Sequence, residues 1–485
     1  MLERRGNHGM TQRSRNEPDA IAAFTHALGA DRVQFESSLR LLYASDDGPG
    51  YCEPMAVLFP VSHEQVCAVV AIANRFHIPL VVRGAGSGNV GGALPVPGSA
   101  VVSLECMRRV LDFSPGDRVV SVEAGVVTAD IDRLARTAGL FYPPNPGSSE
   151  YCRIGGNVAT NAAGPRSLKY GVTRDYVLGL RVVTGDARSL VLGCRTSKGV
   201  VGYDLTRLIV GSEGTLAICT EVTLRLAPLP ATSATLRVAY SDPLSACRDV
   251  SNVMRSPVTP AAVEFLDDRS IAFMDSSDRS TLPEGTAALL LIELDGDIGD
   301  IERSVSLLKS SLVDPALLEF AVEYSKEGSA RLWSARTALS RALKRSSRRK
   351  INEDVVVPVS RLPDLLADIG TLAAQHSLPI VTFGHAGNGN LHVNIMVDPA
   401  SHAEAARARA CLRELFLAVL ALGGTLSGEH GIGTEKLPFV SLEQSPQLID
   451  LEWRIKSALD PNGILNPGKA IPARTAPKTP SALRV

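Results

Sequence analysis

The chain has 485 residues, a length that suggests about three domains. Hydrophobic residues make up 45% and charged residues 21%, which is too apolar for intrinsic disorder over most of the length. Basic and acidic residues number 50 and 51, a formal charge of -1, so the basic excess expected of a nucleic-acid binder is missing. Residues 1–48 read as a disordered N-terminal tail followed by helical residues over 18–45, with apolar Ile21, Phe24, Leu28, Leu39, Leu41 and Leu42. A helix is expected over 63–77 and a strand over Ile78 to Val82. Short strands between glycine-rich turns follow, such as 100–104, 119–122, 177–184 and 216–226. Pro228 and Pro230 mark a boundary, so that 49–228 forms one unit. Over 229–423 strands such as 287–294 alternate with helices at 300–312, 361–375 and 402–422. Residues 380–397 read as two strands around a turn. That pattern is α+β, with a sheet covered on one side. Residues 424–472 are again glycine-rich, and 473–485 read as a disordered tail.

No C-x-x-C pair occurs among the eight cysteines, which argues against a zinc ribbon, an iron–sulfur cluster or a thioredoxin-type site. Scattered cysteines of this kind suit a reduced, cytoplasmic protein. The longest apolar stretch, near 415–422, falls short of the roughly 20 residues of a membrane span and reads as a buried helix face. No transmembrane segment and no secretory signal is expected.

The first glycine loop follows a strand: Arg83-Gly84-Ala85-Gly86-Ser87-Gly88-Asn89, with Gly91 and Gly92 beyond. It contains a formal G-x-G-x-x-G, but Pro95 and Pro97 leave no room for the helix of a dinucleotide fold. Taken alone it is a plain glycine turn or a backbone cradle for a pyrophosphate. A second loop holds Pro144, Gly147 and Ser148, then Gly155, Gly156, Asn157, Asn161 and Gly164, and its residues 151–174 contain no acid. The third is Gly211-Ser212-Glu213-Gly214-Thr215, with Ile218 just after it.

These three loops, in this order and spacing, resemble the flavin-binding domain of the vanillyl-alcohol oxidase / p-cresol methylhydroxylase superfamily. The resemblance implies two α+β subdomains with FAD between them, and an α+β substrate or cap domain with an antiparallel sheet. It makes Arg83 to Asn89 of the first loop, Pro144, Gly147, Ser148, Gly155, Gly156, Asn157, Asn161 and Gly164 of the second, and Gly211, Glu213 and Ile218 at the third, together with Asn466 near the end of the chain, candidate FAD contacts. Relatives that attach FAD covalently use a histidine near the first loop. Gly86-Ser87-Gly88 holds none, so FAD is expected to bind non-covalently.

Two histidine motifs supply the chemistry. In Gly384-His385-Ala386-Gly387-Asn388-Gly389-Asn390-Leu391-His392-Val393-Asn394 the glycines predict a turn, with His385 ending one strand and His392 opening the next. Strand alternation puts His392 and Asn394 on one face. The other motif is Gly428-Glu429-His430-Gly431-Ile432-Gly433. Two imidazoles and a carboxylate suit a divalent ion with open positions.

The motifs resemble those of the FAD-linked D-2-hydroxy-acid dehydrogenases: D-lactate dehydrogenase, the catalytic subunit of glycolate oxidase and D-2-hydroxyglutarate dehydrogenase. By that resemblance His385, His392 and Glu429 are ligands of Zn or Mn, and His430 is the catalytic base. Arg336, in Trp333-Ser334-Ala335-Arg336, holds the substrate carboxylate. Ser340 and Asn394 are further candidate substrate contacts. Asn352 stands where a lysine for a second carboxylate is sought, with Lys344 or Lys350 as substitutes.

The expected reaction oxidises D-lactate or glycolate to the 2-oxo acid. D-2-hydroxyglutarate is the alternative substrate, and a non-catalytic FAD-binding subunit or a metal-dependent hydrolase the alternative functions. Electrons would pass to an external quinone, cytochrome, electron-transfer flavoprotein or iron–sulfur subunit. The basic run 344–350 reads as a solvated loop, or as a contact for an acidic partner or the inner membrane.

Overall fold

The computed structural model describes residues 8–474. The first unit begins with a helix, His8–Leu28, inside the segment read as tail; residues 1–7 and 475–485 lie outside the description. The predicted helix over 18–45 is interrupted. Gly29 turns the chain at φ +96°, a two-residue strand Val33–Gln34 follows, and only single helical turns, Ser37–Arg40 and Leu41–Tyr43, remain. Leu39, Leu41 and Leu42 are exposed there, so their apolar spacing carries no buried stripe.

Helix His63–Phe76 forms as its pattern predicts. Ser62 caps it by accepting from the Gln65 amide, and Val66, Val69, Val70 and Ala73 make its buried stripe. It connects Ala56–Leu58 to Leu80–Arg83, and both strands run parallel to Ala100–Ser103 in a four-stranded sheet. A five-stranded antiparallel sheet follows in the order 110–114, 119–123, 217–225, 177–184, 189–193.

Beyond Pro228 an antiparallel seven-stranded sheet takes over, in the order 317–323, 232–240, 288–296, 262–267, 380–384, 390–397, 349–356. Helices Pro243–Arg255, Ile298–Ser311, Leu362–His376 and His402–Ala421 bury their apolar stripes in one large core on its first face. The expectation of a sheet covered on one side is corrected. Helix Lys326–Lys344 places Leu339 and Leu343 against Ala239, Leu289, Phe383 and Met396 in a separate core. That second helix layer carries Arg336 and Ser340.

The last segment runs back to the first unit. Leu465 forms a parallel bridge with Leu80, and Asn466 Nδ2 donates to the carbonyls of Gly92 (3.0 Å) and Glu213 (2.6 Å), joining the first and third glycine loops. The return is pinned by Lys456, whose buried ammonium donates to Thr215 O at 2.7 Å, Leu465 O at 2.8 Å and the Asp460 carboxylate at 2.5 Å. No helix among the described residues is long and apolar enough to cross a membrane.

Because Lys456→Met strands the Asp460 carboxylate in the interior, it is expected to destabilise the protein by about 3–5 kcal/mol. A denaturant titration followed by circular dichroism reads this as a lowered midpoint. An unchanged midpoint contradicts the clamp.

Candidate active site

One cavity of about 820 Å³ lies where the units meet. Its wall includes Gly84, Ala85, Gly86, Ser87, Gly88 and Asn89 of the first loop, then Gly147, Ser148, Gly155, Gly156, Asn157 and Gly164 of the second. Glu213 of the third loop joins them, as do Arg336, Ser340, His385, His392, Glu429 and His430 from the later part of the chain. Both chemistries predicted from the sequence therefore face one space. A Cβ built on Gly88, Gly147 or Gly156 would meet nothing within 4 Å, so the backbone there borders open volume that a ligand can fill.

Several other candidates stand behind that wall. The Arg83 guanidinium donates to Ser45 O at 2.6 Å and lies over the Tyr43 ring, supporting the first loop from outside. Asn161, at φ +52°, accepts the Arg174 amide with its side chain and ends the helix Ile154–Thr160. Pro144, Gly211, Ile218 and Asn466 do not line the cavity. Asn394 shares the His392 face as predicted, but it too is outside the wall, donating to Val381 O and His392 O, both at 3.1 Å. The Glu213 carboxylate turns to the loop Gly428–Gly433, accepting the amides of Ile432 (2.7 Å) and Gly433 (2.8 Å).

The histidine motif forms as its glycines predict. Strand Ile380–Gly384 ends just before His385, and strand Asn390–Val397 carries His392. His385 Nε2 lies 3.2 Å and His392 Nε2 3.5 Å from the same oxygen of Glu429, and the two rings stand edge to face at 5.1 Å. One ligand atom from each of these residues falls within 4.8 Å of the others. Asp354, His392 and His430 meet the same criterion. The Asp354 carboxylate, however, already accepts the amides of Gly428 (2.9 Å), Glu429 (2.7 Å) and His430 (2.9 Å), so its charge is committed to the loop. The first trio is the better ion site.

Electrostatics follow from this crowding. Burial favours neutral His385, but Glu264 and Glu429 outweigh it and lift its pKa to about 10. Burial and the neighbouring His385 charge push His392 down to about 3. Burial also lowers His430, against the pull of Asp354. The His430 ring stacks on His392 at 5.2 Å and its Nδ1 makes no hydrogen bond.

Two carboxylates in this site went unread in the sequence. Glu264 and Asp354 are fully buried; Glu264 joins His385 to Arg336, and Asp354 holds the Glu429–His430 loop. The available signal was an acid within a run of strand-forming apolar residues, Ala262-Val263-Glu264-Phe265-Leu266 and Asp354-Val355-Val356-Val357.

The sequence matches the FAD binding domain family over residues 54–193, and the C-terminal domain of the FAD linked oxidases over residues 229–470. It is 36% identical to the glycolate oxidase subunit GlcD of Bacillus subtilis, over 91% of this chain and 94% of that protein. It is 33% identical to a D-lactate dehydrogenase of Anaerostipes hadrus, over 87% of this chain and 90% of the relative. The fold is also that of p-cresol methylhydroxylase, at a TM-score of 0.76 and 20% identity, covering 94% of this chain and 96% of that one. The chain belongs to the FAD-linked oxidase family of glycolate oxidase subunits and D-lactate dehydrogenases, built on the p-cresol methylhydroxylase type of flavin fold.

Proposed function

We propose that the protein oxidises a small D-2-hydroxy acid, D-lactate or glycolate, to its 2-oxo acid, with non-covalent FAD and a divalent ion, Zn or Mn. The observation that carries this reading is the shared cavity: glycine backbones bordering open space on one side, and Arg336 with the His385–His392–Glu429 trio on the other. The donor set fits a divalent ion, and residues 84–92 offer FAD no histidine to attach to. Bound FAD supplies the two-electron acceptor for the substrate C2–H bond. His385, His392 and Glu429 would hold the ion, which would lend Lewis acidity at the α-hydroxyl.

The chain's own residues bind and deprotonate. Arg336 lies over the Phe383 ring at 4.6 Å and offers a planar guanidinium for the substrate carboxylate. His430, on the cavity wall beside the trio, receives the hydroxyl proton. The glycine loops present backbone without side chains, which would let the cofactor approach closely. The two electrons taken from the substrate would require an external acceptor: a quinone, a cytochrome, an electron-transfer flavoprotein or an iron–sulfur subunit.

A second reading, a dicarboxylic substrate such as D-2-hydroxyglutarate, is favoured by Lys350. This half-buried cation has no carboxylate within salt-bridge distance among the described residues, and donates at 2.9 Å to Ser340, which lines the cavity. Burial, then Lys344, lowers its pKa to about 8, while Asp47 pulls the other way.

Under anaerobic conditions D-lactate or glycolate is expected to bleach the flavin, and a chelator to stop the bleaching until Mn or Zn is restored. A flavin that no 2-hydroxy acid bleaches points instead to a non-catalytic subunit. His430→Ala is expected to keep its FAD spectrum and lose about 10²–10⁴-fold in kcat; wild-type turnover removes the residue from the reaction. If Lys350 serves a second carboxylate, the KM advantage of D-2-hydroxyglutarate over D-lactate is present below pH 8 and fades above it as the lysine loses its proton. A pH-independent KM ratio, or one unchanged in Lys350→Met, refutes the dicarboxylate reading.

A further inference from the structure

Glu264 sits within the strand Ala262–Asp267, between strands Ala288–Gly296 and Ile380–Gly384, and is 0% exposed. Its two oxygens serve two different partners. Oε1 meets His385 Nδ1, and Oε2 accepts from Arg336 Nε at 2.7 Å, with Arg336 Nη2 in ion-pair contact at 2.7 Å. The other nitrogen of His385 faces Glu429, so the imidazole is bracketed by carboxylates. Without an ion both ring nitrogens face carboxylates and the imidazole is held as a cation; an ion bound at Nε2 takes the place of that proton, and the carboxylate on Nδ1 then keeps the remaining N–H toward Glu264 and leaves the Nε2 lone pair for the ion. The same side chain fixes the plane of the Arg336 fork.

The geometry points to Glu264 as a positioning residue that couples the metal-ligand histidine to the carboxylate-binding arginine, so that both halves of the substrate grip are set by one buried side chain. This rests on the metal and arginine roles proposed above. It has a consequence that a merely structural acid does not share. The amide of a glutamine has one acceptor end and one donor end, and cannot accept from both partners. In Glu264→Gln the cationic Arg336 claims the amide oxygen. The amide N–H₂ then faces His385 Nδ1 and forces the ring proton onto Nε2, into the ion site. Removing Arg336 as well frees the amide to turn its oxygen to His385 and restores the useful tautomer.

The test titrates Mn²⁺ into FAD-loaded protein freed of metal by a chelator, followed by calorimetry, with the flavin spectrum reporting an intact fold. Glu264→Gln is expected to weaken Mn²⁺ binding by about 10- to 100-fold. The double variant Glu264→Gln/Arg336→Met is expected to recover about tenfold or more of that loss, because the amide oxygen again accepts from His385 Nδ1. Wild-type Mn²⁺ affinity in Glu264→Gln, or a double variant no better than the single one, overturns the coupling while leaving the metal site standing. If wild-type protein itself binds no Mn²⁺ or Zn²⁺, the functional reading falls and this inference with it. Should the glutamine variant fail to hold FAD, Glu264→Asp replaces it. Aspartate keeps the charge but lacks the reach, so the same loss is expected, and unchanged affinity again overturns the coupling.

Discussion

The site depends on one short loop, Gly428–Gly433, gripped by two buried carboxylates, one from each half of the chain. Asp354, on a strand of the seven-stranded sheet, accepts three consecutive amides, those of Gly428, Glu429 and His430. Glu213, in the third glycine loop of the flavin unit, accepts the next available pair, Ile432 and Gly433. Charged acceptors in a dry interior make strong hydrogen bonds, and losing one leaves several donors unsatisfied. The loop is thus fixed relative to both halves at once. Gly433 belongs to this arrangement: at φ +52° its missing Cβ lets the Val90 carbonyl of the first glycine loop approach.

That grip explains why residues so distant in sequence share one cavity. Glu429 is set against His385 and His392 because its own amide is held by Asp354, which pairs in register with His392 across the sheet. On the flavin side, the return segment does similar work without touching the cavity. Lys469 donates to Gly92 O at 3.2 Å and to Asn466 Oδ1 at 2.8 Å, while Asn466 binds Gly92 and Glu213. The first and third loops are braced from behind, and their small residues remain free to approach a ligand closely.

The elements were legible wherever period and punctuation agreed. Helix His63–Phe76, strand Val177–Thr184 and the turn between His385 and His392 follow from apolar spacing or glycine placement. The family resemblance rested on loops whose residue types are dictated by close backbone approach, and such constraints survive in a linear string. What a string does not show is which way a side chain turns. Arg83 and Asn161 belong to the first and second glycine loops and Asn466 to the return segment, yet all three hold backbone from outside the cavity wall. Glu264 and Asp354 escaped because each acts on partners between about 36 and 121 positions away, and only a folded sheet brings them together. The helix expected over 18–45 failed at Gly29, where an extended backbone with positive φ, open to glycine, outweighs the apolar spacing beyond it.

As proposed above, two imidazoles and one carboxylate, held by this doubly anchored loop and the adjoining hairpin, would bind a divalent ion facing the cavity. Anomalous scattering from crystals of the FAD-bound protein grown with Mn²⁺ tests it most directly. A single strong peak is expected within bonding distance of His385 Nε2, His392 Nε2 and a Glu429 oxygen. A peak elsewhere, or none with Glu429 turned away from both rings, contradicts it.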